Sequence, residues 1–278
     1  MEFLRVASGA AATSLAVLTG DEDSLSPRAR ALARLATTLT AQPWEFTGEI
    51  VKDAIRQGLD PDHVEAAIGV VAMFNYFTRV ADASGIEFDY QSPLPAFQPD
   101  LGQTPAARPE RPSPAATGSP PGGSAATAAG SSGSAAGSAA TAAGSAGLAA
   151  GSAGLAGGGD RLPCPGPMRT AWETWRSYVL GEDEPISRDE RRLLARVAAE
   201  ESGDWAGAEE LGADNAGGAA DLLVAFARKL SRQPWCMRAE DLETLRAGGY
   251  SEPAILHVIS VVAHQNATSR LALGLAAR

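Results

Sequence analysis

Apolar residues recur along two stretches of this chain at the 3.6-residue spacing of a helix. Val64, Ile68, Val71 and Asn75 fall on one stripe, and Ile255, Ile259, Val262 and Asn266 on another, the pattern of an amphipathic helix with one buried face. Start signals stand ahead of both. Asp60 before Pro61, and Ser251 before Pro253, offer a side-chain oxygen to the first free amides and a proline where a missing N–H costs little. Gly58 and Gly248-Gly249 close the stretches before them, as glycine does in the left-handed conformation. Pro185-Ile186-Ser187 opens a further helix over Arg188–Glu201. The acidic runs Asp21–Asp23 and Glu182–Glu184 precede helices, where carboxylates favour the positive helix end. Val6–Leu18 is apolar enough to raise the question of a secretory signal, but Glu2 beside a single Arg5 is a poor n-region and no convincing cleavage site follows. It reads instead as a helix of the first domain. No segment alternates with period two between turn signals, and the predicted class is all-α.

The two stripes belong to a repeat. Residues 35–85 lie over 226–276 without a gap, at an offset of 191, and 14 of the 51 positions are identical, against about four expected from composition alone. The matches cluster: Gln42-Pro43-Trp44 returns as Gln233-Pro234-Trp235, Val70-Val71-Ala72 as Val261-Val262-Ala263, and Asn75 and Arg79 as Asn266 and Arg270. Upstream, Gly20–Ser26 resembles Gly181–Ser187 at an offset of 161. The first copy therefore lacks about thirty residues that the second carries between Arg196 and Phe226. We read a tandem duplication: a shortened helical domain at 1–100, a linker at 101–162 and a full helical domain at 163–278.

Composition supports the linker, since Gln103–Asp160 is almost entirely Ala, Gly, Ser, Thr and Pro and offers nothing apolar to bury. A coil of roughly 58 residues spans on the order of 40 Å and lets the repeats dock within or between chains, so a homo-oligomer is expected. The net charge of -10 is spread over both blocks, with no basic stripe, which argues against nucleic acid. No stretch approaches the ~20 apolar residues of a membrane span, so no membrane partner and a cytoplasmic location are expected. Cys164 and Cys236 are too few for a disulfide framework.

Three features resemble the alkylhydroperoxidase D-like superfamily, which includes carboxymuconolactone decarboxylases and peroxidase-related proteins. The first is the helix ending Phe74-Asn75-Tyr76-Phe77-Thr78-Arg79, followed by Ala81-Asp82 and Gly85-Ile86-Glu87. The second is Leu39-Thr40 ahead of Pro43-Trp44, and the third is the phrase from Asp241 to Ser251. The resemblance covers residues 16–95 and 168–276 and implies two alkylhydroperoxidase D-like helical domains. In the redox-active members it also implies a Cys-x-x-Cys helix, a histidine a few residues on and a relay glutamate about a dozen residues ahead, because the nucleophile is a thiolate served by a proton relay. Here the cysteine positions fall on Gly203 and Ala206, the histidine on Glu209 or Glu210, and the glutamate near Arg191, with Glu190 adjacent. The thirty residues missing from the first copy should be the same helix. Dithiol peroxidase chemistry is absent by substitution in one copy and by deletion in the other.

The remaining candidates each have a plainer reading. Asn75–Arg79 and Asn266–Arg270 are i,i+4 pairs that could line a pocket, or could satisfy neighbouring backbone groups. His264, beside Gln265 and Asn266, is the better candidate for acid/base work, with a hydrogen-bonded core histidine as the plainer alternative. His257 and His264, seven residues apart without a third ligand, argue weakly for metal, and neither metal nor cofactor is expected. Trp205 and Glu209 could line a remodelled cavity or sit on a surface helix. Cys236 reads as a small buried hydrophobe, and Trp44 and Trp235 as core anchors. Three functions follow. The preferred one is a non-redox helical scaffold or interaction protein. The second is an acid/base enzyme of the carboxymuconolactone decarboxylase type using His264, Asn266, Arg270 and Glu209. The third is a peroxidase-related enzyme with a single thiol at Cys236.

Overall fold

The computed structural model describes residues 16–17, 20–86, 104–111, 166–212 and 220–278. The sequence readings that fall on most of Val6–Leu18, on Cys164 and on the chain from 112 to 165 lie outside these residues. Among the described residues there are nine α-helices and no strand, so the class is all-α. In chain order they are α1 (Pro27–Ala41), α2 (Gly48–Arg56), α3 (Pro61–Ser84), α4 (Gly166–Gly181), α5 (Arg188–Glu201), α6 (Trp205–Leu211), α7 (Ala220–Arg232), α8 (Ala239–Ala247) and α9 (Glu252–Ala276).

The start signals work as expected from side-chain chemistry. The carboxylate of Asp60 accepts the amide of His63 ahead of α3, the hydroxyl of Ser251 that of Ala254 ahead of α9, and the hydroxyl of Ser26 that of Ala29 ahead of α1. Ser187 and Glu190 close a capping box on α5. Gly58 and its counterpart Gly249 both take positive φ, +97° and +94°, a region that costs glycine little. The 191-residue offset relates elements as well as letters. Helices α1, α2 and α3 stand to α7, α8 and α9 in the same order, with 3-10 turns at Pro43–Glu45 and Pro234–Cys236 in matching places. The residues before those turns, Gln42 and Gln233, share one backbone conformation (φ -139° in both; ψ 62° and 57°).

The second half has three helices where the first has one. Ser26-Pro27 starts α1 as Ser187-Arg188 starts α5, whereas the C-terminal end of α1 matches that of α7. The extra residues, between Arg196 and Phe226, are therefore the end of α5, all of α6 and the first part of α7. Helix α5 fills a core, burying Leu193, Leu194, Ala195, Val197, Ala198 and Ala199.

Sequence reading suggested separate domains at 1–100 and 163–278. The contacts instead group Met1–Pro109 with Gly159–Arg278 in one compact unit and set Glu110–Gly158 apart as another. Helices α3 and α9 pack along one another at the middle of the larger unit. One core joins Leu35, Leu39, Val64 and Ile68 of the first half to Ala267, Leu271 and Leu275 of α9 and to Trp172 of α4. Close approach depends on Gly274, where a Cβ would stand 2.6 Å from Ile68 Cγ2 and 3.3 Å from Leu39 Cδ2.

Three expectations need correction. The described residues 104–111 fall inside the linker expected at 101–162. Arg108 donates to the backbone oxygen of Glu200 at 2.8 Å, and Arg232 donates to that of Ala106, so this stretch is fastened to the second half by its backbone and its arginine. Trp44, Trp235 and Cys236 are only half-buried, so none of the three is enclosed in a core. Finally, α3, at 24 residues, is long and apolar enough to cross a membrane by length and composition; here one side of it packs on α9.

Candidate functional site

The two Asn–Arg pairs meet where α3 crosses α9, and they are wired to the opposite halves. Asn75 Nδ2 donates to Thr40 Oγ1 at 3.1 Å and to the Val71 carbonyl at 2.9 Å. Asn266 Nδ2 donates to Ser231 Oγ at 2.8 Å and to the Val262 carbonyl at 2.9 Å. Each asparagine oxygen accepts from the arginine one turn on, at 2.7 Å from Arg79 and 2.9 Å from Arg270. The second guanidinium nitrogen then crosses over. Arg79 donates to the Ser231 carbonyl at 3.0 Å, and Arg270 donates to the Thr40 carbonyl at 2.8 Å. Thr40 and Ser231 are equivalent residues at the C-terminal ends of α1 and α7, so each buried cation caps the helix end of the other half.

That placement accounts for buried arginines without a carboxylate within 4 Å among the described residues. The last carbonyls of a helix lack intrahelical donors and carry the negative end of its dipole. Both side chains are 3% exposed. Burial lowers the pKa of Arg79 to about 10, with Asp82 opposing the shift. Burial and then the nearby Arg79 charge push Arg270 well down. Among the described residues the Nε of each arginine is buried without a partner, an orphan repeated on both sides of the crossing.

The position where the family resemblance implies a dithiol is built differently. Gly203 sits at φ +70° in the turn after α5, and a Cβ there would stand 2.8 Å from Trp44 Cβ. The indole of Trp44 lies beneath the Arg232 guanidinium, 5.7 Å from ring centre. Arg232 and Arg228 reach the buried Glu201 carboxylate at 3.3 and 3.0 Å, with Arg108 at 3.9 Å. Ala206 is exposed on the first turn of α6. Trp205 is half-buried under Arg108, 4.7 Å from ring centre, and Glu209 is exposed. The position matched to the relay glutamate, Arg191, is in the first turn of α5, while Gly203 lies beyond its end. At 1.5 Å per residue, roughly 15 Å of helix separates them. Glu190 is occupied as a cap: burial raises its pKa, but hydrogen bonds from Tyr250 at 2.7 Å and from Ser187 outweigh this and hold it low.

His264 stands apart from the Asn–Arg centre. It is 0% exposed, with Trp175 perpendicular to it at 4.5 Å and Trp172 at 5.8 Å between ring centres, and among the described residues neither ring nitrogen has a hydrogen-bond partner. Burial first, and the Arg176 charge second, lower its pKa to about 3. His257 is elsewhere, accepting a hydrogen bond at Nδ1 from Arg191 at 3.0 Å. Among the described residues no group of three or more His, Cys, Asp or Glu is gathered to hold a metal.

Sequence reading missed a cavity of about 240 Å³ between α3, α4, α5 and α9, in whose wall are Tyr76, Trp175, Tyr178, His257 and Ser260. Nothing in the local sequence marks it, because its residues come from four helices. Trp205, His264 and Arg270 are not in its wall. Compared with known proteins, the chain matches no family model, no curated protein and no solved structure, so the superfamily resemblance rests on the residues that carry it.

Proposed function

We propose that this chain is a non-redox helical scaffold or interaction protein of the alkylhydroperoxidase D-like kind, in which a duplicated unit has closed its thiol site with structural contacts. The observation that carries this reading is the junction of Gly203 with Trp44. A cysteine at 203 would combine a positive φ, which L side chains rarely adopt, with a 2.8 Å clash against Trp44 Cβ. The surrounding arginines serve Glu201 and backbone oxygens rather than an open cleft.

Acid/base chemistry at His264 is disfavoured on the same terms. A general base works best with a pKa near the working pH and within reach of its substrate, whereas His264 is caged by two indoles and holds a pKa of about 3. Asn266 and Arg270 spend their hydrogen bonds on helix ends.

The test is hydroperoxide consumption with thiol reductants by the full chain and by Cys236→Ser. Both should match a heat-inactivated control. Turnover by the native chain that Cys236→Ser abolishes would overturn the reading in favour of a single-thiol peroxidase.

A further inference from the structure

The cavity between α3, α4, α5 and α9 has a mixed wall. Tyr76, Trp175, Tyr178 and Leu256 give it apolar and aromatic surface, while His257 and Ser260, one turn apart on α9, give it two polar groups. Tyr76 and Trp175 brace each other perpendicularly at 4.8 Å, so two of these walls are held rigidly. At about 240 Å³ the space is below the ~300–1,000 Å³ of drug-sized pockets and suits a compact molecule.

The polar side is fixed by Arg191. Its guanidinium donates to the carbonyls of Ile186 (3.2 Å), Val179 (2.9 Å) and Glu184 (2.7 Å), and also meets His257 Nδ1 at 3.0 Å. A guanidinium can only donate, so Nδ1 accepts and the imidazole proton is on Nε2. Among the described residues the His257 side chain makes no other hydrogen bond and the Ser260 hydroxyl makes none. Nε2–H and Oγ–H are therefore two donors left for an acceptor. Behind them, Arg191 has no carboxylate within 4 Å among the described residues. Glu182, Asp183 and Glu190 are near enough to favour its charge, but Asp183 pairs with Arg188 at 2.9 Å and Glu190 caps α5.

We propose that this cavity binds a small monocarboxylate with a flat apolar body, whose oxygens accept hydrogen bonds from His257 Nε2–H and Ser260 Oγ–H with the Arg191 charge behind them. The body lies against Tyr76, Trp175 and Leu256. The site is independent of the thiol question and stands whether or not the scaffold reading holds.

Benzoate is the probe, titrated into the full chain with tryptophan emission and calorimetry as readouts and benzamide as the uncharged comparison. Saturable benzoate binding is expected, with benzamide weaker by about tenfold or more, the value of a charge-assisted hydrogen bond. His257→Phe, which keeps a flat ring and loses the donor, should weaken benzoate by about the same factor. Leu256 is 55% exposed, so Leu256→Trp should fold normally and abolish binding by filling the space. Absence of saturable benzoate binding overturns the proposal, as does undiminished binding by a folded His257→Phe or by Leu256→Trp. Equal affinity for benzamide overturns the carboxylate assignment.

Discussion

His264 holds a pKa of about 3 in the folded chain against its ordinary 6.5, and this gives stability a pH dependence with a definite sign. As pH falls through 6.5 the unfolded chain takes up a proton on this residue while the folded chain does not, until about 3. Stability is therefore intact above 6.5 and is lost as pH falls through that window, by up to about 1.4 kcal/mol per pH unit. His264→Met, which copies Met73 at the matching position of the first half, should flatten the decline between pH about 6 and about 4. Denaturant midpoints measured across that range check it, and an unchanged slope would mean that His264 is not the buried group responsible. The Asn–Arg pairs were visible in the sequence as i,i+4 neighbours. The exchange of Arg79 onto Ser231 and Arg270 onto Thr40 was not, because residues 152 and 230 positions apart come together only through the crossing of α3 and α9. Of the other candidates, Trp205 and Glu209 rest on the superfamily resemblance alone, and the structure places one beneath Arg108 and the other in solvent.

At the scale of elements the local rules were readable. Ser26, Asp60, Ser187 and Ser251 each begin a helix with a side-chain cap, and each signal lies within four residues of its effect. Val64, Ile68 and Asn75, and Ile255, Ile259, Val262 and Asn266, are buried as their spacing predicts, but that spacing does not say whether the opposite face of the helix is covered as well. Val70, Phe74 and Phe77 of α3 are 56%, 54% and 54% exposed, while Val261, Gln265 and Thr268 at the matching positions of α9 are 0%, 2% and 5% exposed. The difference follows from the helices that cover α9: α5 packs along it, and Trp172 of α4 donates to Thr268 at 3.2 Å while Trp175 packs on His264; amphipathic spacing alone does not say where a neighbouring helix lies. Gly274 shows the same limit in reverse. A glycine inside a 25-residue helix reads as a weak point, yet here it is the surface that lets α9 approach Ile68. Gly274→Val should destabilise the chain by about 1–3 kcal/mol through overpacking, although valine favours a helix more than glycine does. The penalty should shrink in an Ile68→Ala background, as coupling between touching residues requires. Chemical denaturation of the four variants measures both terms, and additive effects would remove Ile68 as the obstacle.

For the molecule as a whole, the two halves behave in the structure as one folding unit whose cores need both. Ala267, Leu271 and Leu275 complete the core of the first half, Ala83 of α3 enters that of the second, and the crossed arginines tie each half to the other's helix end. An expressed fragment 1–109 would leave Leu35, Leu39 and Ile68 without these partners, and the ~0.05–0.15 kcal/mol per residue that a domain has in hand does not cover such a loss. We expect that fragment to be poorly helical alone and to gain helicity when 159–278 is added. A sharper form keeps the native pairing. A specific protease site placed within residues 112–158 allows the folded chain to be cut once. The two pieces should then co-elute and melt together, with a Tm that rises with protein concentration, because cutting turns an internal contact into a bimolecular one. The uncut chain should show a Tm independent of concentration if the halves pair within one chain. A concentration-dependent Tm before cutting would instead place the pairing between chains. Pieces that separate after cutting, each unfolding cooperatively at a Tm independent of the other, would show two self-sufficient domains and refute the shared core.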